Sequence, residues 1–261
     1  RAFADKTEQN TIQSLDRAML ILQALAEGGP ATLSDLAGRL GQSPATVYRV
    51  LVTLQARDIV ELDEAGQVWA VGAGAFLIGS AFLRRSSLVE RARPVLRELM
   101  EATGETANLG VARGQEVLFV GQVETQESLR AFFPPGTVSP LHASGIGKAL
   151  LANFDADRLE RYLARAELTR FTDHTLTDRA ALRTDLEATR GRGYALDDEE
   201  KARGMRCVAA PVFDALGEAV AGLSVSGPVS RLSSAESAAI GGKVAAAAER
   251  LSRRLGARAS R

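Results

Sequence analysis

Cysteine and histidine are scarce in this chain, which narrows the chemistry it can perform. Its 261 residues include one cysteine, Cys207, and two histidines, His142 and His174. A single cysteine cannot form an intrachain disulfide, and such usage is typical of the reducing cytoplasm, where we expect the protein. The thiol and the two imidazoles follow no metal-ligand spacing, so we predict no metal site and no cofactor.

A strong charge imbalance and long apolar runs are also missing. The 32 basic and 32 acidic residues give a formal net charge of zero, which is no general signature of polyanion binding. No apolar run approaches the roughly 20 residues that cross a bilayer, so no membrane partner is predicted. With 46% hydrophobic residues the composition is that of a globular protein, and the length suits one small and one medium domain.

Between Thr32 and Leu54 the pattern predicts two short helices joined by a tight turn. Thr32 is suited to cap the first helix, Gly41 to end it, and Ser43 followed by Pro44 to begin the second. The second helix has one apolar face, and its opposite face can bond to base edges and phosphates. An ordinary helical hairpin is the alternative. The candidate DNA-contacting residues are Gln42, Ser43, Ala45, Thr46, Tyr48, Arg49 and Thr53.

The segments on either side complete a winged helix-turn-helix domain, which we place at residues 12–71. An amphipathic helix at 14–26 precedes the pair, and its apolar side, including Leu15 and Met19, is expected to face the core. Two short apolar strands joined by an acidic hairpin turn follow the second helix. These strands are predicted at 59–62 and 68–71.

The charge of this domain opposes the DNA-binding interpretation. Residues 1–71 carry 6 Lys+Arg and 9 Asp+Glu, a net charge of −3, whereas phosphate attraction normally supplies much of the affinity for DNA. A few well-placed arginines would have to provide it, and Arg49, Arg39 and Arg57 are the main candidates. Weak attraction per domain also favours a dimer or larger assembly, because assembly multiplies the contacts.

Beyond residue 71 we predict a linker helix at 72–88 and an antiparallel α+β domain at 89–256. Pro94 is expected to interrupt the helical pattern, so that one helix ends near Ser86 and another begins near Val89. From residue 106 onward short strands alternate with helices, which is typical of an α+β fold. Strands are predicted at 106–112, 116–123, 129–133, 194–196, 207–213 and 219–226, and helices at 146–153, 157–166, 178–190 (capped by Thr177) and 236–255 (with a capping box of Ser233 and Glu236).

The segment from Ser144 to Lys148 precedes an apolar helix and superficially resembles a phosphate-binding loop. That interpretation fails because His142 stands where the first glycine is required and Ala149 replaces the magnesium-binding hydroxyl. The segment instead predicts a helix start with free amide groups, which attracts a carboxylate. A plain helix cap is the commoner alternative.

Cys207, Ser224 and Ser226 are the remaining candidates. Period-two spacing places both hydroxyls on one face of a strand, either as a solvent-facing edge or as the floor of a pocket. No base motif accompanies the thiol, so no catalytic residue is predicted. The acidic run from Asp197 to Glu200 has a solvated turn as its ordinary interpretation.

Motifs in both halves of the chain resemble those of the IclR (isocitrate-lyase regulator) family of transcription regulators. The resemblance extends from about Ser14 to Leu255. Its motifs are residues 14–18, 43–51 and 140–151, and the signature running from Gly193 through Asp197, Glu200 and Cys207 to Asp214.

The resemblance implies a winged helix-turn-helix, a linker helix and a GAF-like effector domain. It also implies a homodimer through the DNA-binding domains and often a homotetramer. In relatives that bind glyoxylate or similar 2-oxo acids, the ligand lies between a helix start, an acidic residue, a cysteine and two serines; members that bind aromatic acids generally need a roomier pocket. One departure is Asp58, where a glycine commonly stands. Carried over, the effector residues are Ser144, Gly145, Ile146, Asp197, Cys207, Ser224 and Ser226.

We therefore predict a ligand-responsive regulator that binds double-stranded operator DNA and a small carboxylate, with glyoxylate or a related 2-oxo acid as the first candidate. Two other classes stay open. One is a small-molecule enzyme built on the C-terminal domain, and the other is an interaction scaffold whose winged helix does not bind DNA. Whether the regulator represses or activates is not encoded in any motif.

Overall fold

The protein is described by a computed structural model that covers residues 12–63, 65–85 and 88–257, with the side chains of 82–85 excluded. The chain divides into two compact units, with the division after Arg85. Within the described ranges, no helix is long and apolar enough to cross a membrane.

The N-terminal unit has four helices and a small sheet among its described residues. Its antiparallel sheet has the strand order β1-β3-β2, so the predicted hairpin gains a short third strand from the segment before the second helix. The elements are α1 Gln13–Gly28, β1 Ala31–Thr32, α2 Leu33–Leu40, α3 Pro44–Gln55, β2 Val60–Asp63, β3 Val68–Val71 and α4 Ala73–Arg85.

Local capping explains why α2 and α3 begin and end where they do. The Thr32 hydroxyl accepts from the Asp35 amide at 3.2 Å and donates to the Asp35 carboxylate at 2.8 Å. Gly41 ends α2 in the left-handed conformation, with φ of 60°. Ser43 then accepts from the Thr46 amide at 3.3 Å and starts α3. The predicted helix-turn-helix is confirmed.

The core of this unit is formed by the buried faces of α1, α2, α3 and the hairpin. Leu15 and Met19, which were expected in that core, are 62% and 56% exposed, so this part of the prediction was wrong. Only the C-terminal half of α1 is covered, because α2 and β3 contact it there. The fully buried members include Ile21, Leu36, Val47 and Leu51.

Asp58 follows α3 in the left-handed region, with φ of 56°. This conformation is uncommon without glycine, although aspartate tolerates it better than most residues. The backbone here is crowded, because a Cβ on Gly72 or Gly74 would lie 2.4 Å or 2.8 Å from the Asp58 carbonyl oxygen. The departure noted at Asp58 is thus compatible with the turn.

The C-terminal unit is built on one six-stranded sheet in which every pairing is antiparallel. The strand order is β6-β5-β4-β9-β8-β7, which confirms the predicted α+β class. The elements are α5 Leu88–Thr103, β4 Thr106–Arg113, β5 Glu116–Val123, β6 Val138–Pro140, α6 Gly145–Leu151, α7 Ala156–Arg165, α8 Arg179–Arg192, β7 Ala195–Asp198, β8 Met205–Phe213, β9 Ala219–Pro228 and α9 Ser237–Arg254.

Three local predictions for this unit were wrong. Residues 129–133 form no strand; Phe133 stacks on Phe119 at 4.9 Å, and the third strand forms after the following turn as β6. Pro94 lies inside α5, which runs through it, although α4 ends at Arg85 and α5 begins at Leu88, close to the predicted helix ends. The cap of α8 is Asp178, whose carboxylate accepts from the Ala181 amide at 2.8 Å, and not Thr177.

Helices cover both faces of the sheet. The helix α6 contacts β8 and β9 on one face, while α5 and α9 contact β4, β5, β8 and β9. Alternation along β8 directs Cys207 and Ala209 towards α6. At the head of α9, Ser233 and Glu236 exchange hydrogen bonds as the predicted capping box requires.

Candidate functional sites

The outward face of α3 is the candidate nucleic-acid interface. Ala45, Tyr48, Arg49 and Thr53 are exposed on it, while Val47 and Leu51 are fully buried on the opposite side. A helix that keeps its apolar stripe in the core and its polar face in solvent can enter a groove of DNA while the core of the domain stays intact. The face also includes Val52, which is 41% exposed and was not among the candidates.

Several hydroxyls on this face are already engaged within the helix. Ser43 and Thr46 share a hydrogen bond at 2.9 Å, and Thr53 donates to the Arg49 carbonyl oxygen at 2.7 Å. Gln42 is half-buried, and its Oε1 has no hydrogen-bond partner. Arg49 is the one charged residue of α3, and its exposed guanidinium can bind a phosphate or a guanine edge.

The hairpin beside this helix is acidic. Glu61 and Asp63 are exposed, and Asp63 uses its carboxylate to accept from the Ala65 amide at 3.0 Å. The sequence adds a third acidic residue to this turn, Glu64, which lies outside the described residues. Negative charge at this position opposes close approach of the hairpin to phosphates.

In the C-terminal unit, strand register gathers four of the predicted effector residues on one face of the sheet. Asp197 on β7 pairs with Cys207 on β8, which pairs with Ser226 on β9. Ser224 lies two residues before Ser226 on the same face. Because β9 is a central strand, Ser224 and Ser226 are 0% and 3% exposed, and the solvent-edge alternative for them is wrong.

The start of α6 is pressed onto this row of side chains. A Cβ on Gly145 would lie 2.7 Å from the Cys207 sulfur, so only glycine permits the present distance. The Gly145 amide donates to that sulfur, and the Ser144 hydroxyl accepts from the Gly147 amide at 3.4 Å. The helix start thus brings amide donors to the thiol and is itself buried.

Cys207 lies at the centre of this arrangement and keeps some accessible surface. Its sulfur contacts the hydroxyls of Ser224 and Ser226 as well as the Gly145 amide. Burial, together with the nearby Asp197 charge, raises the thiol pKa to about 11. The group is therefore a neutral thiol at physiological pH and can donate weakly, whereas nucleophilic attack requires a thiolate.

Asp197 is buried at the edge of the same site. One carboxylate oxygen accepts from the amides of Glu200 and Lys201 at 2.8 Å and 3.4 Å. Burial raises the pKa of Asp197 to about 6, although the Lys148 charge and these hydrogen bonds oppose the shift. Asp197 and Glu200 are 8% and 5% exposed, so the solvated-turn interpretation of the acidic run is wrong.

A buried ion-pair cluster, which the sequence did not reveal, lies beneath the helix start. Lys148, 1% exposed, pairs with Glu200 and lies 2.9 Å from the Asp185 carboxylate. Burial alone would lower the pKa of Lys148, but the charges of Glu200 and Asp185 outweigh it and raise the pKa. Burial raises the pKa of Glu200 to about 7. The cluster ties α6 to the loop after β7.

Asn108 on β4 is another buried polar residue of the candidate site that sequence reasoning missed. It is fully buried, and strand register places it directly across from Ser224. The sequence signal for this residue is a polar side chain within a strand of mostly apolar residues. That signal points to the site only once the pairing of Asn108 with Ser224 is known.

Other features of this unit do not add to the site. A concavity of about 620 Å³ between α8, β8 and α9 contains none of the predicted effector residues. Among the residues that the structure describes, no cluster of metal-ligating side chains is found. His142 lies against the Thr169 carbonyl oxygen at 3.0 Å, and burial lowers its pKa.

Comparison with known proteins places both units in one family. The family model of the IclR helix-turn-helix domain matches residues 14–64, and that of the bacterial transcriptional regulator IclR C-terminal region matches residues 80–253. The crystal structure of the Thermotoga maritima IclR superposes with a TM-score of 0.79 at 30% identity, covering 94% of this chain and 100% of that chain.

Curated relatives agree over most of their length. The HTH-type transcriptional regulator BhcR of Paracoccus denitrificans (strain Pd 1222) is 59% identical over 241 residues, covering 92% of this chain and 86% of that protein. The transcriptional repressor IclR of Escherichia coli (strain K12) is 40% identical over 235 residues, covering 88% and 85%. These relatives are regulators and not enzymes, which removes the enzyme alternative.

Proposed function

This chain belongs to the IclR family of bacterial transcriptional regulators, and on that premise we propose that its C-terminal unit senses a small carboxylate. Glyoxylate or a related 2-oxo acid is the effector we favour. The observation that carries the proposal is the convergence of neutral donors on one point. These donors are the Gly145 amide, the Cys207 thiol and the hydroxyls of Ser224 and Ser226.

Such a set of donors suits an anion. Amides in the first turn of a helix have no acceptor within the helix, and the helix dipole adds partial positive charge there. Because the pKa of Cys207 is raised to about 11, the sulfur brings no competing negative charge. A carboxylate entering here would replace the sulfur as acceptor of the Gly145 amide and would also accept from the serine hydroxyls.

The tightness of the packing favours a small ligand. A Cβ on Gly222 would lie 2.7 Å from Ile146, and one on Gly110 would lie 3.3 Å from it, so the Ile146 side chain fills the space above β4 and β9. An aromatic ring would have to displace that side chain. An aromatic acid is the second candidate, and a thermal-shift panel of 2-oxo acids and benzoates separates the two.

Asp197 can contribute in one of two ways beside an anion. Its pKa of about 6 makes the protonated form accessible, and a carboxylic acid donates a hydrogen bond to a carboxylate. Alternatively the ionised form accepts from the hydroxyls of a hydrated aldehyde. Effector affinity measured across pH distinguishes them, because only the first weakens as pH rises through the pKa.

On the DNA side, we propose that α3 reads the operator within a homodimer or a homotetramer. Large apolar side chains are exposed on α1 and α4, among them Leu15, Met19, Phe76 and Leu77. Large exposed apolar side chains on helices are frequent at protein interfaces. A dimer would also double the contacts with DNA and so offset the weak attraction of each N-terminal unit for phosphates. A cytoplasmic location fits these roles.

Calorimetric titration with glyoxylate tests the effector site. We expect saturable binding by the wild type, and a loss of about 1–3 kcal/mol in the double variant Ser224→Ala/Ser226→Ala, because two donors to a charged acceptor are removed. Ser139→Ala, a buried serine on β6, is the matched control and should bind as the wild type does. Equal affinity in the double variant and the wild type would contradict the proposed floor of the site.

A further inference from the structure

A buried pair of carboxamides lies beside Ser224 and Ser226, the serine floor of the proposed site, on the same face of the sheet. Asn108 is fully buried on β4, between Gln122 on β5 and Ser224 on β9. Its Nδ2 lies 3.5 Å from the Ser224 hydroxyl and 3.4 Å from the Ser226 hydroxyl. The Gln122 Nε2 donates to Asn108 Oδ1 at 3.1 Å. The contacts to the serines are long and therefore weak hydrogen bonds, but they show that Asn108 donates and the serine hydroxyls accept.

In the structure Gln122 holds the accepting end of the Asn108 amide on its own side. A carboxamide has one accepting end and one donating end, and the Gln122 donor requires the accepting end of Asn108 on its side. The donating end then faces Ser224 and Ser226. Without Gln122 the two orientations of the amide would be closer in energy.

This orientation sets the polarity of the two hydroxyls. A serine hydroxyl has one hydrogen and two lone pairs, and a lone pair that accepts from Asn108 leaves the hydrogen to point elsewhere. For Ser224 and Ser226 the open direction is towards Cys207 and the helix start, since both hydroxyls contact that sulfur. Both serines therefore present hydrogens to the place where a ligand would lie.

We infer that Asn108, oriented by Gln122, is a positioning residue that biases the serine floor towards donation, so that the site selects a carboxylate over the corresponding carboxamide. The inference rests on the proposed function and specifies its ligand class. A carboxylate only accepts, so it satisfies every donor around it. A carboxamide would direct its own N–H groups at donors and leave them unpaired, which is costly in a buried site.

The test compares glyoxylate with its neutral amide, glyoxylamide, by calorimetry on the full chain. In Asn108→Leu, a neutral variant of similar size, the hydroxyls are released and can turn to accept. We expect the preference for glyoxylate over glyoxylamide to fall about tenfold, with the affinity for the amide rising. Since no charge is changed, electrostatic repulsion cannot produce this result.

Two further variants support the measurement. Gln122→Leu alters a half-buried residue that contacts neither serine, and it should reduce the preference in the same direction by about threefold, because the Asn108 amide can then turn. The matched control is Asn153→Leu, whose amide donates to the Ala149 carbonyl oxygen away from the serines. Its preference should equal that of the wild type.

The outcomes separate the inference from the function on which it rests. Suppose that the wild type binds glyoxylate, but Asn108→Leu and Gln122→Leu lower the affinities for glyoxylate and glyoxylamide by equal factors. Asn108 is then merely structural and the inference is overturned, while the proposed function stands. If the wild type binds neither probe, both are overturned. Should Asn108→Leu fail to fold, Gln122→Leu serves as the test: a reduced preference for glyoxylate supports the inference, and a wild-type preference overturns it.

Discussion

Replacing Gly145 with alanine would crowd the contact between the start of α6 and Cys207 in the proposed effector site. The added Cβ would lie 2.7 Å from the Cys207 sulfur and 3.3 Å from the Cβ of Ala209. Ordinary van der Waals contact is about 3.5–4.0 Å, so the sulfur contact falls short by about 1 Å. The start of α6 must move away from β8, and the amide donors move with it.

The expected cost follows from overpacking. Inserting a methyl group into a close-packed interior costs about 1–3 kcal/mol, and we expect Gly145→Ala to lower the free energy of unfolding by that amount. Urea denaturation of the full chain measures it, with an unchanged m-value indicating an unchanged folded state. Glyoxylate affinity should fall as well, because the Gly145 amide no longer reaches its place.

A double-mutant cycle identifies the cause. In Cys207→Ala the sulfur is absent, so the added methyl group should then cost less than half as much. Gly242→Ala is the matched control; Gly242 lies in α9 with no atom within 4 Å of the added Cβ, and this change should stabilise the protein by about 0.5–1 kcal/mol. The reasoning is refuted if Gly145→Ala is neutral, or if its cost is the same with and without the sulfur.

Two more predictions concern the DNA face and the pH response. Arg49→Ala should weaken operator binding by about 1–3 kcal/mol without lowering thermal stability, since the side chain is exposed. Arg113→Ala, an exposed arginine in the other unit, is the control and should bind the operator as the wild type does. If Arg49→Ala also binds the operator with wild-type affinity, this face of α3 does not contact DNA. The pKa of Asp197 is raised to about 6 from 3.8, so the folded state holds a proton that the unfolded state releases, and stability falls as pH rises through that interval. Asp197→Asn should flatten this dependence. Parallel stability curves for the wild type and Asp197→Asn from pH 4 to 7 would contradict the prediction.

The DNA-binding half of the fold was predictable because its signals are local. Thr32, Gly41, Ser43 and Pro44 each determine the backbone within a few residues, and the structure places helix ends at all of them. A cap requires no knowledge of the rest of the chain. The exposure of Leu15 was not predictable in the same way, since covering a helix depends on which elements reach it.

The candidate effector site depends on long-range pairing. Residue patterns singled out its parts, but only the resemblance brought them together as one site. Period two correctly placed Ser224 and Ser226 on one face, but it could not tell an edge strand from the central position that buries them. The acidic run was assigned to solvent because its partner Lys148 lies far away in sequence. Asn108 became significant only when the register placed it opposite Ser224.

The prediction of a strand at 129–133 failed for a related reason. The segment has suitable residue types, but Leu129 and Phe132 are exposed, and the ring of Phe133 turns inward onto Phe119. Strand propensity describes a side chain that fits a pleated sheet, and these residues belong to none of the strands that the structure describes.

The central claim is that DNA binding responds to a carboxylate held in the C-terminal unit. It is tested most directly by the fluorescence anisotropy of the labelled DNA upstream of the protein's own coding region, titrated at low salt with and without glyoxylate. We predict specific binding whose affinity changes by about 5–150-fold with glyoxylate in the wild type and stays constant in Ser224→Ala/Ser226→Ala. Binding that is absent under both conditions, or an equal response in the double variant, would contradict the account.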